Sequence, residues 1–179
     1  AVFALKAALL PFYLWLPAAY AQTSAAVAAL FAIMTKVGVY GILRIYPLIF
    51  GAAAGPAADV IAPWLLPLAL ATLLIGALGA AASAGLRRQV AYLVVASVGS
   101  LLTAFGLNSS AGIAAGLYYL PHTTFAAAAL FLLADLISRQ RGVMSDRLDP
   151  GPDLPDSRLL GALFFITAIA VAGLPPLAG

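Results

Sequence analysis

The stretch "ALFAIMTKVGVYGILRIYPLIF", residues 29–50, carries two charges, Lys36 and Arg44, in an otherwise apolar run. A spanning helix takes about 20 mostly apolar residues, so the run is long enough to cross a bilayer. Lys36 lies 12 residues after Ser24, about 18 Å along a helix that rises ~1.5 Å per residue. That is close to mid-membrane and beyond comfortable snorkelling. A cation there costs roughly 2.5–3.5 kcal/mol on insertion scales, and such residues face a bundle interior or a wet cavity. One reading makes Lys36 a lysine whose proton exchanges. The other makes it structural, paired with a carboxylate on a helix outside this chain. The functional reading is preferred, because intramembrane ionisable residues mark ion and proton paths.

Working outward, the whole chain has this character. Of 179 residues, 64% are apolar and 8% charged, and the mean hydropathy is +1.08. Nine basic and six acidic residues are too few to cover a soluble domain, so the chain is read as integral to the lipid bilayer. Abundant Gly and Ala suit close helix packing in lipid. The formal charge of +3 carries topology information, since no basic run with interleaved aromatics points to nucleic acid. With no cysteine and one histidine, the chain offers no disulfide, iron–sulfur ligand or Cys-type zinc site. No metal site or organic cofactor is expected.

Six spans are predicted, near 1–20, 24–50, 60–83, 87–107, 111–137 and 159–179, in an all-α polytopic bundle forming part of one transmembrane domain. The breaks are "AQTS", "GAAAGPAAD", "AGLRRQ" and "NSSAG". Residues 138–158, with four Arg, four Asp and three Pro, are expected to be an extramembrane loop. Arg87 and Arg88 lie in one connection; Arg139, Arg141, Arg147 and Arg158 lie in another, two spans later. Both fall on one side, cytoplasmic by the positive-inside rule. Arg44, near the opposite end of its span, can snorkel. Both termini fall within apolar helical pattern, so the chain is expected to be a fragment of a longer protein.

Further polar residues lie within the spans. Lys6 precedes Pro11 and Pro17, prolines expected to break the first helix. Broken helices at membrane depth line cavities and ion sites; an interfacial lysine near two kinks is the competing reading. His122 follows Pro121, a third expected helix break, with Thr123 and Thr124 beside it and Tyr118 one turn earlier. Histidine suits a proton relay, yet a lone histidine in a bundle is also commonly structural. Ser97, Ser100 and Thr103 recur every three residues; together with Tyr118 and Thr123 they could line a hydration path, or make ordinary interhelical hydrogen bonds. Asp135 reads as a solvated interfacial charge, with a proton exit as the alternative. Trp15, Trp64, Tyr46 and Tyr92 read as interface anchors.

Taken in order, "LKAALLPFYLWLP", "AALFAIMTKVGVYGILR", "RRQVAYLVVASVGSLLTAFGL", "GLYYLPHTTFAAAALFLLADLI" and "AGLPPLAG" resemble the proton-translocating module shared by complex I membrane subunits and Mrp-type cation/proton antiporters. The resemblance covers essentially the whole chain. It implies that the spans correspond to the seventh to twelfth helices of a subunit with about fourteen. Lys6 then matches the family's central lysine on a discontinuous helix, Lys36 the bridging lysine, and His122 the histidine linking the relay to the exit half-channel. Tyr13 stands where complex I members typically carry histidine, and Ala126 where they often carry a lysine. Both departures resemble the D subunit of the Mrp-type antiporter. The family's glutamate partner of Lys6 would precede Ala1, and its next ionisable group would follow Gly179.

The resemblance implies a subunit of a multi-subunit Na⁺/H⁺ or K⁺/H⁺ antiporter in the bacterial inner membrane, with other antiporter subunits as partners. It would be an ion transporter rather than an enzyme, and Lys6, Lys36 and His122 would relay protons. The rival reading is a proton-pumping, non-redox subunit of NADH:quinone oxidoreductase or a related membrane hydrogenase. A third, a structural subunit that has lost transport, gives no reason to keep two intramembrane lysines.

Overall fold

The computed structural model describes residues 2–51, 55, 60–151 and 155–174. These form seven α-helices: α1 (Val2–Ala7), α2 (Trp15–Gln22), α3 (Ala25–Phe50), α4 (Ala62–Ala81), α5 (Leu86–Gly106), α6 (Ser110–Arg141) and α7 (Ser157–Ala172). Four of them, α3 to α6, are long and apolar enough to cross a membrane. The first expected span is divided between α1 and α2, whereas α7 is a shorter apolar helix. The tail of the sixth expected span, with Pro175 and Pro176 of the Gly-Leu-Pro-Pro motif, lies outside the described residues, as does most of the break at 51–59. Helix α6 continues to Arg141, past the end predicted at 137.

The break between α1 and α2 is built from specific backbone chemistry. Helix α1 closes with Ala8 N donating to Leu5 O (3.1 Å) and Leu9 N donating to Ala4 O (3.0 Å). This is the paired closure usually served by glycine, but here the left-handed residue is Ala8, at φ 58°. A left-handed alanine costs roughly 1–2 kcal/mol. Pro11 lies in the segment that follows and helps keep the helix from resuming. Pro17 does not break anything. It is the third residue of α2, in the first turn, where a backbone N–H has no intrahelical acceptor to lose. Pro121 likewise sits inside an unbroken α6.

Helix α5 is the centre of the bundle, packed against α2, α3, α4 and α6. Its approach to α4 is close because Gly76 faces the backbone of Ala96 and Gly99 faces that of Leu73. On the other side, α1 lies against α3 at Gly38, where a Cβ would come within 2.7 Å of Ala7 N. Many large apolar side chains remain outside, among them Leu30, Leu74, Phe125 and Phe165, as expected where lipid replaces water as the solvent.

At one end, the α6–α7 connection folds as a strap over the α4–α5 turn. Leu86 N donates to Asp146 O (2.8 Å), and Leu148 N donates to Ala84 O (3.0 Å). Asp135 on α6 receives Arg87 from α5 and Arg139 from its own helix, each at 2.8 Å. The two arginine-bearing connections therefore meet at one end of the bundle. Asp135 is paired and largely covered rather than freely solvated.

Two apolar cores fill the interior. The core nearer the strap contains Ala28, Ala32, Val90, Val94, Ala127, Leu130 and Phe131. The other contains Val39, Ala69, Val98, Leu101 and Phe105, with Ile113, Tyr119 and Leu120 packed on it. Along α3 the change from one core to the other falls at Lys36, along α5 at Ser97, and along α6 at His122 to Thr124. The break after α1 falls at the same level, since Ala8 joins one core while Ala7 and Leu9 join the other.

Candidate functional site

The polar level between the cores is the candidate site. Lys36 is fully buried, and its Nζ donates to Ser97 Oγ at 2.7 Å, joining α3 to α5. Ser97 in turn donates to Val94 O at 2.7 Å. Among the described residues no carboxylate lies within salt-bridge distance of Lys36.

Ser97 has a second neighbour. With Tyr119, His122, Thr123, Ala126, Val90 and Val171, it lines a cavity of about 20 Å³. A cavity needs roughly 10–15 Å³ to hold one water, so this one has room for a single molecule. Polar groups stand on both sides of it, Ser97 on α5 and His122 with Thr123 on α6. His122 Nε2 lies 2.9 Å from Ala170 O on α7. A backbone carbonyl only accepts, so Nε2 carries the proton and Nδ1 is left as the accepting atom of the neutral ring. The buried Lys36 is thus one hydroxyl and one water-sized cavity away from the only histidine of the chain.

The remaining candidates are placed differently. The Lys6 side chain is exposed at the end of α1. The backbone of Lys6 and Ala7 packs on Gly38, which brings the broken helix against the helix of Lys36 without joining the two ammonium groups by a hydrogen bond. Ser100 and Thr103 spend their hydroxyls on their own helix, on Ala96 O (3.2 Å) and Gly99 O (2.8 Å), and neither lines the cavity. Tyr118 is 65% exposed; Tyr119, one helical step of about 100° further round, lines the cavity instead. Thr123 lines it, whereas Thr124 donates to Leu120 O.

Of the expected interface anchors, Trp64 is largely exposed. The other three have protein-facing roles. Trp15 Nε1 donates to Leu5 O (3.1 Å), across the helix break. The Tyr92 ring lies over Gly79, and the Tyr46 hydroxyl is buried. Sequence reasoning missed Thr72 on α4. It is 1% exposed; its Oγ1 accepts from Leu10 N (3.0 Å) and donates to Leu68 O (2.7 Å). A lone threonine in an apolar helix gives no signal that it will meet a freed N–H sixty-two residues away.

Comparison with known proteins gives a consistent result. The whole chain, residues 1–179, matches the family described as NADH:quinone oxidoreductase/Mrp antiporter, transmembrane. It is 39% identical over 179 residues to the D subunit of the Na⁺/H⁺ antiporter of Alkalihalophilus pseudofirmus, covering 99% of this chain and 35% of that protein. To the D subunit of the probable K⁺/H⁺ antiporter of Rhizobium meliloti it is 36% identical, covering 99% and 36%. Among solved structures it resembles a chain of the Mrp complex from Dietzia sp. DQ12-45-1b, with a TM-score of 0.80, 33% identity and coverage of 97% of this chain and 32% of that one. A chain of respiratory complex I from Thermus thermophilus superposes with a TM-score of 0.83 at 29% identity, covering 97% and 36%. The chain spans about a third of the length of the curated relatives it matches.

Proposed function

Because the chain belongs to the transmembrane family shared by NADH:quinone oxidoreductase and the Mrp antiporter, we propose that it is the proton-relaying part of a monovalent cation/proton antiporter subunit. The parent subunit would exchange Na⁺ or K⁺ for H⁺, together with other membrane subunits, in the bacterial inner membrane. The observation that carries this reading is the Lys36–Ser97 hydrogen bond opening onto the cavity of His122.

The chemistry needs no covalent step. Lys36 can be an ammonium, which donates to Ser97, or an amine, which keeps two N–H groups and gains a lone pair. Ser97 Oγ is both donor and acceptor. A water in the cavity would connect it to His122, whose free nitrogen can take a proton while Nε2 stays bonded to Ala170 O. Excluding other water keeps the proton on this line, because apolar cores lie above and below it. Lys6 would exchange protons with the same relay from the end of α1 once its acidic neighbour is in place.

Similarity to the antiporter D subunits of A. pseudofirmus and R. meliloti supports the antiporter. The likeness to complex I keeps the redox-driven pump as the second reading, in which the same residues would do the same work.

The test uses the full-length parent with its partner subunits in everted vesicles from antiporter-deficient cells. Addition of Na⁺ or K⁺ should collapse a preformed pH gradient, and Lys36→Ala should abolish that collapse at unchanged protein abundance. A gradient built by NADH alone, with no response to cation in the wild type, would replace the antiporter by the pump. Unchanged collapse in Lys36→Ala would remove Lys36 from the path.

A further inference from the structure

Beside the strap, a cleft of about 310 Å³ lies between α6, α7 and the start of α5. That is within the range of ligand pockets, roughly 300–1,000 Å³. On α6 it is lined by Ile137 and Arg141, and on α7 by Ser157, Gly161 and Phe164. Each set follows helical spacing, so each occupies one face of its helix. Phe164 lies about 10 Å further from the strap than Ser157, at ~1.5 Å per residue, which makes the cleft a groove running along the bilayer normal. Its floor is apolar, with Leu86 and Leu160 both 5% exposed. A Cβ on Gly161 would meet nothing within 4 Å, so the middle of the groove is open.

The charged groups lining the cleft are Arg141, Asp146 and Arg147, at its strap end. Asp146 is engaged at the start of α5, where its Oδ2 accepts from Arg87 N at 2.9 Å. Gly85, the residue before that helix, has no side chain with which to cap it. Arg147 pairs with Asp149 at 2.8 Å. Arg141 is different. It donates to the carbonyls of Arg147 and Asp149, and no carboxylate lies within salt-bridge distance of it among the described residues. Carbonyls orient a guanidinium without cancelling its charge, and its fork of five donors has N–H groups left over. A phosphate is the acceptor whose geometry and charge suit such a fork.

We propose that this cleft holds an anionic phospholipid of the strap-side leaflet, with its phosphate on Arg141 and one acyl chain along Ile137, Gly161 and Phe164. A cation at the head of an apolar groove fits a molecule with a negative head and a hydrocarbon tail. A free phosphate would use only the rim, and a zwitterionic lipid would bring its own ammonium toward Arg141. The strap end is the cytoplasmic one by the positive-inside rule, and basic pockets between helices on that side are the ones that take anionic headgroups.

The experiment uses the full-length parent with its partner subunits, purified in detergent and stripped of lipid. Phosphatidylglycerol carrying a diazirine in one acyl chain is photolysed with the protein, and the labelled peptides are mapped by mass spectrometry. Label should fall on residues 137–141 and 157–164, and excess phosphatidylglycerol should displace it several-fold better than phosphatidylcholine. Arg141→Gln should remove that preference. Gly161→Leu should fill the groove and cut the label several-fold. Because Arg141 also ties the strap, Gly161→Leu, which leaves the rim intact, decides the case if Arg141→Gln loosens the fold. Equal displacement by phosphatidylcholine would mean ordinary boundary lipid, and displacement by inorganic phosphate a free-anion site; either overturns the proposal. So does undiminished label in Gly161→Leu, or label absent from both segments, which would mean that another part of the parent fills the cleft.

Discussion

Lys36 is held by a single hydroxyl, so the relay is most directly probed at Ser97. Ser97→Ala removes the only polar partner that Lys36 Nζ has among the described residues. Hydrogen bonds to charged groups contribute about 1.5–3 kcal/mol, so proton-coupled transport in the vesicle assay should fall by roughly ten- to a hundred-fold. Ser97→Thr keeps an oxygen at the same branch point and should retain most of it. If Ser97→Ala transports like the wild type, Lys36 does not work through Ser97. Hydroxyl chemistry along α5 also separates residues whose spacing left two readings open. Ser97, Ser100 and Thr103 look equivalent in the sequence, but a helical hydroxyl readily bonds the carbonyl four residues back. Ser100 and Thr103 do that, whereas Ser97 bonds a carbonyl three residues back and also accepts from Lys36.

At the scale of elements, the break after α1 depends on helices that the first thirty residues do not include. Thr72 of α4 receives Leu10 N–H. Thr72→Val leaves that donor unpaired in the interior and should cost about 1–3 kcal/mol, read as a lower Tm of the full-length protein in detergent; Thr72→Ser should recover most of it. An unchanged Tm in Thr72→Val would mean that the break holds itself open. Close helix approach gives a second element-scale prediction. Gly38→Ala sets a methyl against the Ala7 backbone and should separate α1 from α3 with a clear loss of stability. Gly161→Ala meets nothing within 4 Å and should be neutral or stabilising by up to about 1 kcal/mol through helix propensity. Equal effects at the two positions would contradict the packing of α1 on Gly38.

For the whole molecule, the strap ties the two arginine-bearing connections together. Asp135 pairs with Arg87 and Arg139 while the 145–148 segment bonds to the α4–α5 turn. Asp135→Asn weakens the link between α5 and α6, and the Leu86 and Leu148 amides should exchange with deuterium several-fold faster. Amides in the middle of α5 should be unaffected. Protection that does not change would show that the backbone bridge alone holds the strap.

Composition and hydropathy alone determine that this chain is a helical membrane bundle, because lipid leaves few ways to satisfy a backbone other than helices. The positions of α3, α4, α5 and α6 were legible for the same reason: long apolar runs bounded by Gly, Ser and Asn. Lys36 and His122 stood out because ionisable groups are rare there. What only the tertiary structure decided is which polar groups meet. Tyr119 rather than Tyr118 lines the cavity, Ser97 rather than Ser100 reaches Lys36, and the Tyr46 hydroxyl is buried. Those choices depend on the rotation of each helix against its neighbours. In an apolar solvent that rotation is set by close contacts at glycines and by a few buried hydrogen bonds. Hydrophobic periodicity carries little of it, since both faces of such helices are apolar.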